Sequence, residues 1–221
     1  LLIRMHVFIY LKDIIREETG MDQKKAPCTV VLIAVNTAVF LALSFIGMTE
    51  DAGFMLQHGA MYAPDILYNG KYYELFTSMF LHFGFQHLMS NMISLGVMGW
   101  QLESAIGRIR YLLIYLLSGI GGNLLSLAAD IHGGEYAVSA GASGAIFGII
   151  GALLYIAIRN YGRVGSVSGR GIVFMIVITF YYGYSNTGVD NYAHIGGLIS
   201  GFLLAVILYH KSGRKKGTRS Q

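Results

Sequence analysis

The sequence predicts an all-α fold: a polytopic membrane protein whose six transmembrane helices form one bundle, with both termini in the cytoplasm. Three observations predict it. Apolar residues make up 54% of the chain and charged residues only 13%, about half the usual charged share of a soluble protein. Long uncharged stretches run over 26–49, 75–102, 111–129, 136–158, 171–189 and 191–210, and about 20 apolar residues span a bilayer as a helix. Of the 16 Lys and Arg residues, 15 fall in the N-terminal segment, the second-to-third and fourth-to-fifth connections and the tail, leaving only Lys71 on the other face. Basic residues stay on the cytoplasmic side, so an offset of one span would split these groups. Helices are the natural solution because a backbone in lipid must satisfy its own hydrogen bonds. The net charge of +4 reads as topology and contact with anionic lipid. No basic stripe suited to nucleic acid lies outside the short flanks.

Residues 1–28 form a cytoplasmic segment whose apolar start, broken by Arg4, Lys12, Asp13 and Arg16, suits an amphipathic helix on the membrane surface. The core covers 29–210, and 211–221 is a basic cytoplasmic tail. Span one is plain Val, Ala, Leu and Ile. The outer connection 49–74 is long, rich in Met, Tyr and Leu, and suited to the interface; loops of that length are often functional. Spans two, four and six carry polar residues and glycines and are expected inside the bundle, since small residues let helices approach closely in lipid. The single cysteine, Cys28, cannot form an internal disulfide, and metal-type Cys spacings are absent.

Polar groups at membrane depth are costly and therefore functional candidates. Gly141-Ala142-Ser143-Gly144 stands at the outer end of span four, where a loop becomes a helix. A serine there could attack a carbonyl while first-turn amides hold the oxyanion; the competing role is an ordinary helix cap. His194, just inside span six, is followed by Gly197 and Gly201 at i+3 and i+7, on its own face. Span four has its own stripe at Gly144, Gly148 and Gly151. Two glycine faces let these spans pack backbone to backbone and bring His194, a base suited to neutral pH, within reach of Ser143; the competing role is a core histidine bonded to a carbonyl. His82, His87 and Asn91 lie in and before span two. His87 and Asn91 share a helix face and both can donate to an oxyanion. A metal site on His82 and His87 is the rival use, and no HExxH motif is present.

GxSG in span four, a histidine beside a glycine stripe in span six, and HxxxxHxxxN in span two together resemble the rhomboid family of intramembrane serine proteases, over roughly 29–210. The resemblance implies a Ser143 nucleophile and a His194 general base, with His87, Asn91 and the Ser143 amide stabilising the oxyanion. It implies structural support from His82, Gly141, Gly144, Phe147, Gly197 and Gly201, and from Glu103 and Gly107, which resemble the family's ExxxG. Substrates would be transmembrane segments of other proteins in the lipid bilayer, cut without cofactor or metal. The place would be a bacterial plasma membrane, with the site opening outward. The chain departs from the family at Tyr72-Tyr73-Glu74, where Trp-Arg is frequent, and at Phe147, where some members have tyrosine. Asp190, four residues before His194, reads as the cap of span six rather than as the third member of a triad. Two other classes compete: an inactive rhomboid-like protein that binds membrane clients, and a small transporter. The retained serine and histidine weigh against the first, and the absence of paired halves against the second.

Overall fold

The computed structural model describes residues 26–185 and 188–210; the expected amphipathic helix and the basic tail lie outside them. Helix α1 (Pro27–Ile46) is followed by three short helices in the outer connection, α2 (Ala52–Gln57), α3 (Ala63–Asn69) and α4 (Glu74–Thr77). Helix α5 (Gly84–Ser94) continues through a π-helical turn (Leu95–Gly99) into α6 (Trp100–Ile106). Then come α7 (Arg108–Gly133), α8 (Ser143–Arg159), α9 (Gly169–Ser185) and α10 (Asn191–Leu208). A two-stranded hairpin, β1 (Arg163–Val164) and β2 (Val167–Ser168), interrupts the all-α pattern between α8 and α9. Among the described residues, three helices, α1, α7 and α10, are long and apolar enough to cross a membrane. Helix α8 is apolar but shorter.

Helix α8 is the axis of the packing. Residues 144–153 are buried without a break, as expected of a helix apolar on every side. It packs most extensively against α10 and α7, which also pack on each other. The outer helices show apolar side chains to their surroundings instead. Val30, Leu41 and Phe45 on α1 and Phe174, Val177 and Tyr181 on α9 are exposed, a pattern suited to a hydrocarbon solvent.

Two long-range contacts anchor the first half of the chain. The Glu103 carboxylate is buried and accepts from Cys28 N (3.0 Å), Thr29 N (2.8 Å) and Thr29 Oγ1 (2.8 Å). A carboxylate on the unpaired first-turn amides is the favoured cap of a helix, and here α6 supplies it to α1. Gly107 then separates α6 from α7 at φ +83, a conformation that a side chain would strain. The outer connection is likewise held from within. Met61 and Ser139 exchange both backbone hydrogen bonds (2.8 and 2.9 Å). Glu74 is fully closed off and its Oε2 accepts from Tyr62 N at 3.1 Å, while its neighbours Tyr72 and Tyr73 are exposed. Asn123 of α7 donates to Leu75 O (2.8 Å) and Ser78 Oγ (2.9 Å).

The boundaries differ from the uncharged stretches in two places. The stretch from 75 becomes helical as α5 only at Gly84, and the one from 136 only at Ser143. Before Gly84 the chain runs through α4, a 3-10 turn (Ser78–Phe80) and a short link, and before Ser143 through a loop whose backbone is paired with Met61 and Ser78, so neighbours satisfy the backbone that lipid could not. Charge alone does not separate the two cases.

Candidate active site

Ser143 is the first residue of α8, and the capping position belongs to Ala142, which has no side chain to cap with. The serine hydroxyl is therefore not spent on its own helix. It lies 3.0 Å from His194 Nε2. The Ser143 amide, in the first turn, has no partner within the helix.

Packing of α8 against α10 sets this distance. A Cβ added at Gly197 would fall on the Gly144 carbonyl, and one at Gly201 on the Gly148 carbonyl. The helices meet with no side chain between them. Helix α7 joins the contact: a Cβ at Gly122 would lie 2.6 Å from Ala193 O, and one at Gly196 would lie 2.8 Å from Gly121 O. His194 is 6% exposed. Phe147, one turn below Ser143, stacks on its ring with centroids 4.3 Å apart and planes 13° from parallel. Phe180 of α9 touches both rings, at 5.3 Å from Phe147 and 6.4 Å from His194.

The loop before Ser143 brings in the span-two histidines. Gly141 has φ +142, and a Cβ there would lie 2.9 Å from His87 Nε2 and 3.6 Å from Ser143 Oγ. His87 and the serine hydroxyl thus face one small space that only glycine leaves open. His82 is buried, stands edge-on to His87 at 5.2 Å, and its Nε2 accepts from Ala142 N at 3.4 Å. Asn91 is also buried, but its Nδ2 donates to the His87 carbonyl on its own helix at 3.0 Å.

Asp190 caps α10, its Oδ1 accepting from Ala193 N at 2.8 Å. Its Oδ2 accepts from Ser126 Oγ (2.6 Å) and Ser139 Oγ (2.7 Å). It makes no bond to the imidazole, whose Nδ1 is without a hydrogen-bond partner among the described residues. Ser126, Ser139 and Phe180 were not singled out in the sequence. Only the place of Ser139, four residues before Ser143, could have suggested one of them. A cleft of about 460 Å³ nearby is lined by Asp130, Glu135, Tyr136 and Tyr192 and does not include the Ser143–His194 pair.

Such an arrangement can perform acyl transfer. A neutral imidazole protonated on Nδ1 accepts the serine proton at Nε2, and amides and donors beside the hydroxyl can hold a developing oxyanion.

A family model described as the Rhomboid domain matches residues 69–211. The chain is 36% identical over 194 residues to Rhomboid protease GluP of Bacillus subtilis, covering 87% of this chain and 37% of that protein. It is 40% identical over 141 residues to RHOMBOID-like protein 5 of Arabidopsis thaliana, covering 63% and 45%. It is 33% identical over 147 residues to the putative rhomboid protease YdcA of Bacillus subtilis, covering 66% and 72%. The fold and the paired serine and histidine thus sit in an integral membrane protein, and the chain belongs to the rhomboid family. It spans less than half the length of GluP and of RHOMBOID-like protein 5.

Proposed function

We propose that this chain is an intramembrane serine endopeptidase that hydrolyses peptide bonds in or near transmembrane segments of other membrane proteins. The observation that carries the proposal is the 3.0 Å contact between Ser143 Oγ and His194 Nε2, made between two helices in backbone contact. His194 takes the Ser143 proton as Oγ attacks the scissile carbonyl carbon. The tetrahedral oxyanion is held by the Ser143 amide, His87 and, once turned from its helix carbonyl, Asn91. His194 then gives its proton to the leaving amine and the C–N bond breaks. Water, deprotonated by His194, attacks the acyl-enzyme and releases the acid. The names of two relatives support the protease class: GluP is called a rhomboid protease and YdcA a putative one.

Around this chemistry the proposed core is residues 29–210 in six crossings, with the basic flanks in the cytoplasm and the site open to the outer face of a bacterial plasma membrane. The distribution of Lys and Arg supports this orientation. The partners are membrane-protein substrates and the bilayer itself. Proteoliposomes holding the protein and a reporter with one transmembrane segment test the proposal. Cleavage by wild type, mapped by mass spectrometry to the segment or its outer flank and absent in Ser143→Ala, is the expected result. An intact reporter with folded wild type, across several segments, overturns it and favours client binding.

A further inference from the structure

The dyad joins two elements that are 51 residues apart in sequence through one hydrogen bond. Helices α8 and α10 fix the lower part of that junction through their glycines. Its outer end is fixed differently. Asp190 Oδ2 receives two hydroxyls at once, Ser126 Oγ from α7 and Ser139 Oγ from the loop that leads to Ser143. Its Oδ1 holds Ala193 N, and its carbonyl accepts from His194 N at 3.2 Å. Ser139 is itself fixed on its other side by the paired bonds to Met61, and Gly141 N donates to Ser78 O at 2.9 Å. One carboxylate therefore ties the first turn of α10, which carries the base, to the loop that leads into the nucleophile.

We infer that Asp190, Ser126 and Ser139 form a positioning clamp that sets the register between His194 and Ser143. The clamp acts through the backbone, since the carboxylate does not touch the imidazole. Its position matters because Asp190 directly precedes α10. In α9 only Ile172 and Gly183 are buried, so the packing of this helix contributes little to holding Asp190. Both serines donate to the same charged oxygen; an amide keeps the cap through its oxygen but must donate from its nitrogen, so both hydroxyls reverse and two charge-assisted bonds become weaker neutral ones.

This inference rests on the proposed serine chemistry, and its test separates the two. Fluorophosphonate labelling rates and reporter cleavage are measured on full-length wild type, Ser126→Ala, Ser139→Ala, Ser139→Thr and Asp190→Asn, with Ser143→Ala as control. Thermal unfolding in detergent reports the folded fraction. A positioning role predicts that Ser139→Ala and Asp190→Asn lower kcat and the labelling rate about tenfold, equivalent to about 1.4 kcal/mol in the barrier. KM stays unchanged, and Ser139→Thr, which keeps the hydroxyl, recovers the rate. A lower unfolding midpoint with a wild-type labelling rate per folded molecule overturns the clamp and leaves the dyad standing. No Ser143-dependent labelling of wild type overturns the serine chemistry, and the clamp with it.

Discussion

Gly197→Ala adds one methyl group where the structure has no room for it. The new Cβ would lie on the Gly144 carbonyl, 2.8 Å from its carbon and 3.3 Å from Gly144 Cα. These are backbone atoms of a buried helix, so no rotamer change relieves the overlap. Restoring ordinary contact parts α8 and α10 by about 1 Å in a close-packed interior. Overpacking of this kind costs about 1–3 kcal/mol. The effect on the dyad is larger in proportion, because His194 stands one turn above the insertion and its bond to Ser143 is 3.0 Å long. A misplacement of about 1 Å between reacting groups costs about a hundredfold in rate. Gly201→Ala is the control. It meets the Gly148 carbonyl about 10 Å below His194 along the helix. The two variants are compared by fluorophosphonate labelling rate per folded molecule and by unfolding midpoint in detergent. Both midpoints fall, and Gly197→Ala loses far more rate than Gly201→Ala. Wild-type rate and midpoint in Gly197→Ala would refute backbone contact as the device that places the base.

Three further predictions concern single contacts. Phe147→Ala removes a stacked partner of His194, an interaction of about 0.5–1.5 kcal/mol beyond burial, and lowers the labelling rate about two- to tenfold, while Phe147→Tyr keeps the ring and most of the rate. Glu103→Ala strips α1 of a cap that accepts three hydrogen bonds; bonds to a charged group contribute about 1.5–3 kcal/mol each, and a drop in the unfolding midpoint at near-wild-type labelling by the remaining folded protein is expected. In the outer connection, the hydrogen bond from Lys71 (2.7 Å) holds the Asp65 carboxyl below its usual value, so it stabilises the loop above the ordinary carboxylate range and that contribution is lost as pH falls through the depressed value. Burial pushes the neighbouring Glu74 carboxyl up, so its contribution has the opposite sign: present at low pH and lost as pH rises through the raised value. Hydrogen exchange of residues 61–74 at neutral and strongly acid pH checks this, with Asp65→Asn abolishing the acid-side increase and Glu74→Gln slowing exchange at neutral pH.

How much of this was legible in the sequence follows from the range of each interaction. The glycine faces of α8 and α10 are local patterns at helical spacing, and they point from His194 to Ser143 without a structure. The connection 49–74 is legible only as long and apolar; its first two short helices depend on Asp51, Pro64 and Gly70, which act locally, and its placement on Met61 pairing with Ser139, which does not. Glu103 meets Thr29 across 74 positions, and Ser126 meets Asp190 across 64. No periodicity within one segment announces such partners. The glycines of α7 carry no such signal for a related reason. Small residues in an apolar span suit lipid-facing and protein-facing positions alike until the neighbour is known, and here the neighbour is the start of α10.

The central claim is that Ser143 is activated by His194. Labelling of purified wild type, Ser143→Ala and His194→Ala with a fluorophosphonate probe, in detergent and in liposomes, tests it most directly. Labelling of wild type that is lost in both variants, with all three folded, is the predicted result. Folded wild type that does not react in either medium, or His194→Ala that reacts as fast as wild type, would contradict it.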